Sequence, residues 1–436
     1  MKRLLVLLVV LIAMVSVFSE TITLRYVNWN LGNQIERDIV KAFEESHPNI
    51  KVEFVTIEGN YEDGLVALAA AGKLPDVIMI PNIPMALVND WALNIKEFVE
   101  NDPEWELVPE VLRNAMVYEG GVYAVPAGLF FMGYFVNDSL FEEYNRPKLE
   151  FGPSVPDFVR AVKRMTIPSD GIIGLAEEVQ IPEWYPAAMD ENLGWYTWDG
   201  EKYNLDSPFF ISGVNFAKEF WNGKYVYDAL PDEVKQQYKA GWWGEVWDQG
   251  KIAIRWSGTW DTANFSTLPF KVRFIGVPSG RTVLVGDFMI ISKTTKHPKE
   301  AYEFAKYINF SKEGILKRLE LDTENRWVSL PINTDKEVLE AYFSKKKLFP
   351  GLDEAYENIS KAIVEGVKII PGYIRSRWTA PTGIKVGDNP NATIGDVIWN
   401  SVRGDLNIAD YAAQLNELAN AEYQKAIETI RKVLNK

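Results

Sequence analysis

Residues 33–80, NQIERDIVKAFEESHPNIKVEFVTIEGNYEDGLVALAAAGKLPDVIMI, decide the fold, because they read as two consecutive strand-to-helix crossovers. Ile35, Ile39, Val40 and Phe43 recur at helical spacing, and Asn33 with Glu36 three residues on has the form of a capping box. That helix ends near Ser46, where His47, Pro48 and Asn49 break it. Ile50, Val52 and Phe54 then alternate with Lys51 and Glu53, the period-2 pattern of a half-buried strand. A second helix is predicted over about 61–71, with Leu65, Leu68 and Ala69 on one face and Gly72 as a left-handed stop. Pro75 and Asp76 lead into a wholly apolar run at 77–80, as in a strand buried on both faces. With 22–27 as the first strand, the order is β-α-β-α-β.

Two pieces of this stretch also carry a resemblance. FEESHPNIKVEFV at 43–55 and AAAGKLPDVIMI at 69–80 resemble, in wording, order and spacing, the amino-terminal signature of the family 1 extracellular solute-binding proteins, the group that contains the maltose-binding protein. The resemblance implies a periplasmic-binding-protein-like α/β fold: two α/β lobes joined by hinge strands, with a cleft between them. It implies no enzymatic activity and no cofactor. Its implied partners are a small-molecule carbohydrate and the membrane subunits of an ABC importer.

Residues 1–19 stand apart from the fold: Lys2 and Arg3 precede an unbroken apolar block at 4–15, then 16–19, with Val17 and Ser19 suiting cleavage before Glu20. The block is shorter than the ~20 residues of a spanning helix. The expectation is a secretory signal peptide and a periplasmic or extracellular protein. No cysteine follows the block, so a lipoprotein is not expected. Removing these nineteen residues from 436 leaves 417, enough for two or three lobes. The absence of cysteine rules out disulfides and thiolate metal sites. The formal charge of −14 becomes −16 once Lys2 and Arg3 leave. Such an acidic chain suits neither nucleic acid nor anionic membranes, which need basic patches. A monomer is expected.

Later landmarks follow the same pattern. Gly120 and Gly121 precede a strand at 122–126, and with Phe135, Val136, Asn137 and Asp138 they resemble the family's first passage between lobes, although the family often has tyrosine at the position of Val136. WDQGKIAIRWSGTW at 247–260 resembles a helix end, strand and glycine-tryptophan loop of the second lobe. Val285 to Ile291 reads as the return crossing and 331–334 as a third hinge strand. The expected lobes are 20–125 plus 286–331, and 126–285 plus 332–436. Residues 183–261 hold nine of the fifteen tryptophans; within them a short hairpin is expected around 199–201. A helix is predicted over 211–221, another after Pro153, Ser154 and Pro156, and a long amphipathic one from about 409.

Parallel sheets place ligands beyond the carboxyl ends of their strands. The first strand ends at Asn28, Trp29 and Asn30, and the 77–80 strand at Pro81, Asn82 and Ile83. Side-chain amides donate and accept at once, as sugar hydroxyls require, and an indole face suits a ring's C–H surface. For the asparagines the competing reading is turn chemistry, and for Trp29 ordinary packing. In the second lobe Trp184 and Tyr185, then Trp260 and Asp261, match positions where similar carbohydrate-binding proteins place aromatic platforms and polar neighbours. Asp287 is either a hydrogen-bond acceptor at a crossing or a strand-start cap. Arg377 and Trp378 are either a late cleft loop or a solvated charge beside a packed ring. Trp243, Val246 and Trp247 fall at helical spacing and read as core, as do Trp221 and Trp256.

The only histidines, His47 and His297, each precede proline at a turn, so a His-based triad or metal site lacks its parts. The glycine loops that cradle phosphate are absent. The competing functions are a secreted glycoside hydrolase or lyase, which needs two carboxylates at fixed separation, and a binding protein for a polyol, polyamine or peptide.

Overall fold

The computed structural model describes residues 21–435 apart from 325 and 347; the expected signal peptide lies outside the described residues. β1 (Ile22–Val27), α1 (Gln34–Ser46), β2 (Ile50–Phe54), α2 (Tyr61–Ala70) and β3 (Val77–Ile80) follow in the predicted order. β1 pairs in parallel with β2 on one side and β3 on the other. α1 buries Ile35, Ile39, Val40, Ala42 and Phe43 as one stripe. Asn33 caps it by accepting the Ile35 N–H, but the capping box does not form. The Glu36 carboxylate instead pairs at 2.6 Å with Arg318, whose side chain is almost fully buried. The Asn33 N–H, which a capping box would give to Glu36, donates to Asn30 O at 2.8 Å, and the charge-assisted bond to a buried guanidinium holds the carboxylate. Gly72 ends α2 at φ 64°, with Lys73 N–H donating to Leu68 O, as a left-handed cap requires.

After α3 (Ile83–Val88) comes β4 (Val125–Asn137), a thirteen-residue strand that organises the sheet. The next elements are α4 (Val155–Met165), β5 (Ile173–Leu175), α5 (Ile181–Met189), α6 (Pro208–Asn222), β6 (Ile252–Gly258), β7 (Val272–Gly276) and β8 (Val283–Ile291). The chain continues through α7 (Pro298–Asn309), α8 (Lys312–Leu321), α9 (Lys336–Lys345), β9 (Ile363–Val364), α10 (Ile394–Arg403) and α11 (Ala412–Leu434). The sheet order is β2-β1-β3-β8-β4-β6-β5, with β9 on β8 and β7 on β4. The start of β4 pairs antiparallel with β8, at Val125↔Met289, and its end pairs with β6, at Val136↔Ile254. β4 and β8 therefore cross from one α/β lobe to the other. Gly133 is needed where both β6 and β7 meet β4: a Cβ there would lie 2.8 Å from the Gly276 backbone.

Two expectations fail locally. Residues 331–334 form no strand. The segment is tied to β4 through the Leu330 N–H to Leu129 O bond and the Ser329 hydroxyl, which accepts the Leu129 N–H. Pro331 has no N–H with which to continue a ladder. The turn at 199–202 exists, with Asp199 Oδ1 accepting the Glu201 and Lys202 N–H groups, but no strands flank it. Trp195–Thr197 is a 3-10 turn in which Tyr196 and Thr197, both buried, take φ 53° and 64°.

Buried side chains form two clusters. Leu24, Phe43, Ile78, Ile290 and Phe304 belong to the first, and Tyr134, Phe158, Trp184, Tyr203 and Leu415 to the second. The expected division at 332 runs through the first, which also takes Val338, Tyr342 and Tyr356. α11 begins at 412 rather than 409, after a 3-10 turn over Ile408–Asp410. It spans both clusters, burying Leu415 and Ala419 in the second and Ile427 and Ile430 in the first.

Candidate functional site

Beyond β1 the chain turns on Asn28. Its Oδ1 accepts the Asn30 N–H at 2.7 Å and its Nδ2 donates to the Tyr26 hydroxyl at 2.7 Å. Asn28 is thus a buried turn residue, the competing reading, and its work is to aim Trp29 and Asn30 outward. Trp29 is 38% exposed and meets Tyr61 edge-on at 5.5 Å. Asn28 and Asn30 line a small recess that is partly open to solvent; Phe130, Asp287, Trp327 and Ser329 are among its other walls, and Trp29 is not. Asn82 is not among its walls. It caps α3, with Oδ1 accepting the Met85 N–H at 2.8 Å, so its carbonyl is committed to the helix.

Trp260, just beyond β6, is not a wall of this recess but touches one of its walls, Phe130. It sits in a 3-10 turn over Thr259–Asp261, is 40% exposed, and packs edge-on against Phe130 at 5.8 Å. Asp261 does not face outward with it. Its carboxylate accepts from the Ser257 hydroxyl and, at 3.4 Å, from Arg255. Arg255 is buried beneath Trp243, Trp247 and Phe265, with ring centroids 5.0, 5.6 and 4.8 Å away. Asp261 is therefore the counter-charge of a buried guanidinium. Close by at the end of β5, burial pushes the Glu177 carboxyl up to about 7.

Among the other second-lobe candidates, burial corrects Trp184 and Arg377. Trp184 is fully buried, donates from Nε1 to the Tyr134 hydroxyl at 3.0 Å, and meets Tyr134 and Phe158 edge-on. Tyr185 is half-buried, tilted onto Phe216 at 5.2 Å. The residues around them form α5, which packs on α6, and this turns both rings into the lobe. Arg377 is 1% exposed, pairs with buried Glu183 at 3.3 Å, and lies over Tyr196 and Trp399 at 5.2 and 5.5 Å. Trp378, in the same irregular turn, is 43% exposed and meets Tyr373 edge-on at 5.4 Å. Trp247 and Trp256 are core, while Trp221 and Trp243 are half-buried.

Asp287 is 9% exposed on β8 and lines the recess. Its partner was missed by the sequence reading: the Lys368 ammonium donates to Asp287 Oδ1 and lies 5.8 Å from the Trp29 ring centroid. Glu365, the residue just after β9, has its carboxyl pushed up to about 7 by burial, with Lys368 pulling it down and Glu183 and Asp287 pushing it further up. Phe130 was missed as well. β4 is covered on both faces and shows no alternation that would mark one residue as outward. Nothing short of the pairing of β8 with β9 would have brought Lys368 to Asp287.

The Asp287–Lys368 pair and three partly open rings are thus linked by contacts: the Lys368 ammonium reaches both Asp287 and Trp29, and Phe130 meets Trp260. Residues 28–314 match the family model of the bacterial extracellular solute-binding proteins. The chain belongs to that family. An uncharacterized ABC transporter extracellular-binding protein of Pyrococcus horikoshii is 25% identical over 322 residues, 66% of this chain and 69% of that one. Among solved structures, the cyclic α-maltosyl-1,6-maltose binding protein of Arthrobacter globiformis aligns with a TM-score of 0.69 at 15% identity, covering 93% of this chain and 99% of that one. An extracellular solute-binding protein of Staphylococcus aureus in complex with maltose gives 0.61 at 17%, covering 95% and 98%. An ABC substrate-binding protein of Listeria monocytogenes in complex with cycloalternan gives 0.62 at 17%, covering 95% and 99%. These likenesses establish the periplasmic-binding-protein fold.

Proposed function

We propose that this solute-binding protein captures a carbohydrate in the cleft between its lobes and delivers it to the membrane subunits of an ABC importer. The observation that carries the reading is the exposed Asn30 amide at a recess walled by Phe130, Trp327 and Asp287, with the open Trp29 ring next to it in the chain and Trp260 edge-on to Phe130. Hydroxyls need groups that donate and accept, and sugar C–H faces need rings; this wall offers both. Trp378 is a further exposed ring of the second lobe. Three solved relatives of the same fold were captured with, or named for, maltose, cyclic maltosyl-maltose or cycloalternan, which supports the class of ligand. A ligand touching both walls binds the closed form better and shifts the population toward it.

The lobes of this reading are 20–125 with 286–331, and 126–285 with 332–436, except that α9 packs on α8 and α11 on α3, both of lobe one. The chain is exported through a cleaved signal peptide, carries no lipid, works as a monomer in the periplasm or outside the cell, and catalyses nothing. Both carboxylates that line the recess, Glu36 and Asp287, are already matched, by Arg318 and Lys368, which weighs against a polyamine.

A thermal-shift screen against mono-, di- and oligosaccharides tests the proposal: Tm should rise with the concentration of the true ligand while the sugar stays intact. Turnover of a sugar would make the protein an enzyme. A shift with spermidine or a peptide and none with any saccharide would replace the ligand class.

A further inference from the structure

Lys368 reaches from one lobe to the other. It closes the 3-10 turn Gly366–Lys368 just after β9, and the residues that follow, Ile370 and Tyr373, are buried in the second cluster. Its ammonium nevertheless ends on two groups of the opposite wall, the Asp287 carboxylate and the Trp29 ring at 5.8 Å. The space for this is built in. A Cβ on residue 128, across the sheet from Asp287, would lie 3.2 Å from the Asp287 carboxylate, and glycine stands there. The lysine and aspartate side chains are 22% and 13% exposed, so the pair is shielded from the screening that makes surface pairs weak. The cation lies within the ~6 Å at which an indole face attracts it.

Both partners are groups that a bound sugar would use, a ring face to stack on and a carboxylate to accept from hydroxyls. We infer that Lys368 is the resident occupant of the subsite formed by Trp29 and Asp287, and that it holds the ligand-free lobes together until a ligand displaces it. The inference rests on the cleft being the binding site. It makes Lys368 a positioning residue with a defined consequence for selectivity. A solute that covers only the Trp29 face forfeits the ion pair and gains little, whereas one that engages Trp29, Asp287 and the second-lobe wall together replaces the lost contacts.

The chain has no cysteine, so two can be introduced as unique label sites. Spin labels at Glu62→Cys and Lys202→Cys, exposed positions on the two lobes, report the interlobe distance without any ligand. In the ligand-free protein Lys368→Met should lengthen the mean distance by about 5 Å or more and broaden it, while Lys368→Arg keeps the parent distribution. A Met variant with the parent distribution overturns the latch. With maltotetraose as probe, Lys368→Met should bind about threefold or more tightly than the parent, because the competing occupant is gone, and Trp29→Ala more weakly. A Met variant that binds more weakly than the parent makes Lys368 a ligand contact and overturns the inference. If none of the proteins binds this sugar, the functional reading fails for it, and the label distances still decide the latch.

Discussion

Replacing Trp260 by alanine is the most direct test of the cleft. The indole is 40% exposed and its one aromatic neighbour in the recess, Phe130, lies edge-on at 5.8 Å. A tryptophan buries on the order of 150–250 Å² when covered. The exposed share, 40% of that, is then roughly 60–100 Å², and at about 25 cal/mol per Å² its coverage by a ligand is worth roughly 1.5–2.5 kcal/mol. At about 1.4 kcal/mol per decade this is a loss of about 10- to 70-fold in affinity. The fold should hardly notice. Trp260 packs on the lobe surface, and losing its contact with Phe130 costs on the order of 0.5–1.5 kcal/mol, a drop of a few degrees in Tm at most for a chain of this size. Titration calorimetry with the saccharide that gives the largest thermal shift measures the first quantity, and a melting curve the second. An alanine variant that melts normally and keeps its parent's Kd would remove Trp260 from the site and with it the second-lobe wall.

Trp184→Ala should behave in the opposite way, destabilising by about 3–5 kcal/mol in denaturant titration because it leaves a cavity and an unpartnered Tyr134 hydroxyl; a loss under about 1 kcal/mol contradicts its place in the core. Arg377→Met strands the buried Glu183 carboxylate and should cost about 3–5 kcal/mol, whereas the double variant with Glu183→Gln recovers part of it; equal instability of single and double variants argues against the pair. Burial raises the Glu177 carboxyl from its ordinary 4.5 to about 7 in the fold. The unfolded chain therefore holds fewer protons at this group between those values, and stability falls as pH rises from about 4.5 through 7. Glu177→Gln should flatten that part of the pH–stability profile; an unchanged slope rejects the shift.

The local grammar of the chain was legible. The β-α-β-α-β order of 22–80, the cap at Asn33, the helix after Pro153, Ser154 and Pro156, the stop at Gly72 and the core assignment of Val246 and Trp247 follow from spacing and turn chemistry between near neighbours. The class of protein was legible too, through the wording of 43–80. Within the site, Trp29, Trp260 and Trp378 were named and stand exposed, while Trp184, Tyr185 and Arg377 were named and lie in or against the core. Sequence cannot separate these groups, because a tryptophan beside a helix start looks the same whether the helix turns it inward or outward. Which way it turns depends on the element packed against it: α6 covers Trp184, while Trp260 meets only the edge of Phe130 and stays 40% exposed.

The same division holds for charge. Glu36 beside Asn33 has the form of a cap, and by local rules it is one. Only the packing of α8 against α1 brings Arg318 to it across 282 positions and withdraws it from that role. Asp287 stood in the sequence as an acceptor with no partner named; the pairing of β9 with β8 supplies Lys368, 81 residues away, and sets its ammonium against Trp29. Residues within a turn or two of one another constrain each other through backbone geometry, and a sequence records that. The cleft is made by groups whose only connection is through space, so the sequence alone determined the frame and the family, and the tertiary structure decided which side chains the frame presents to a ligand.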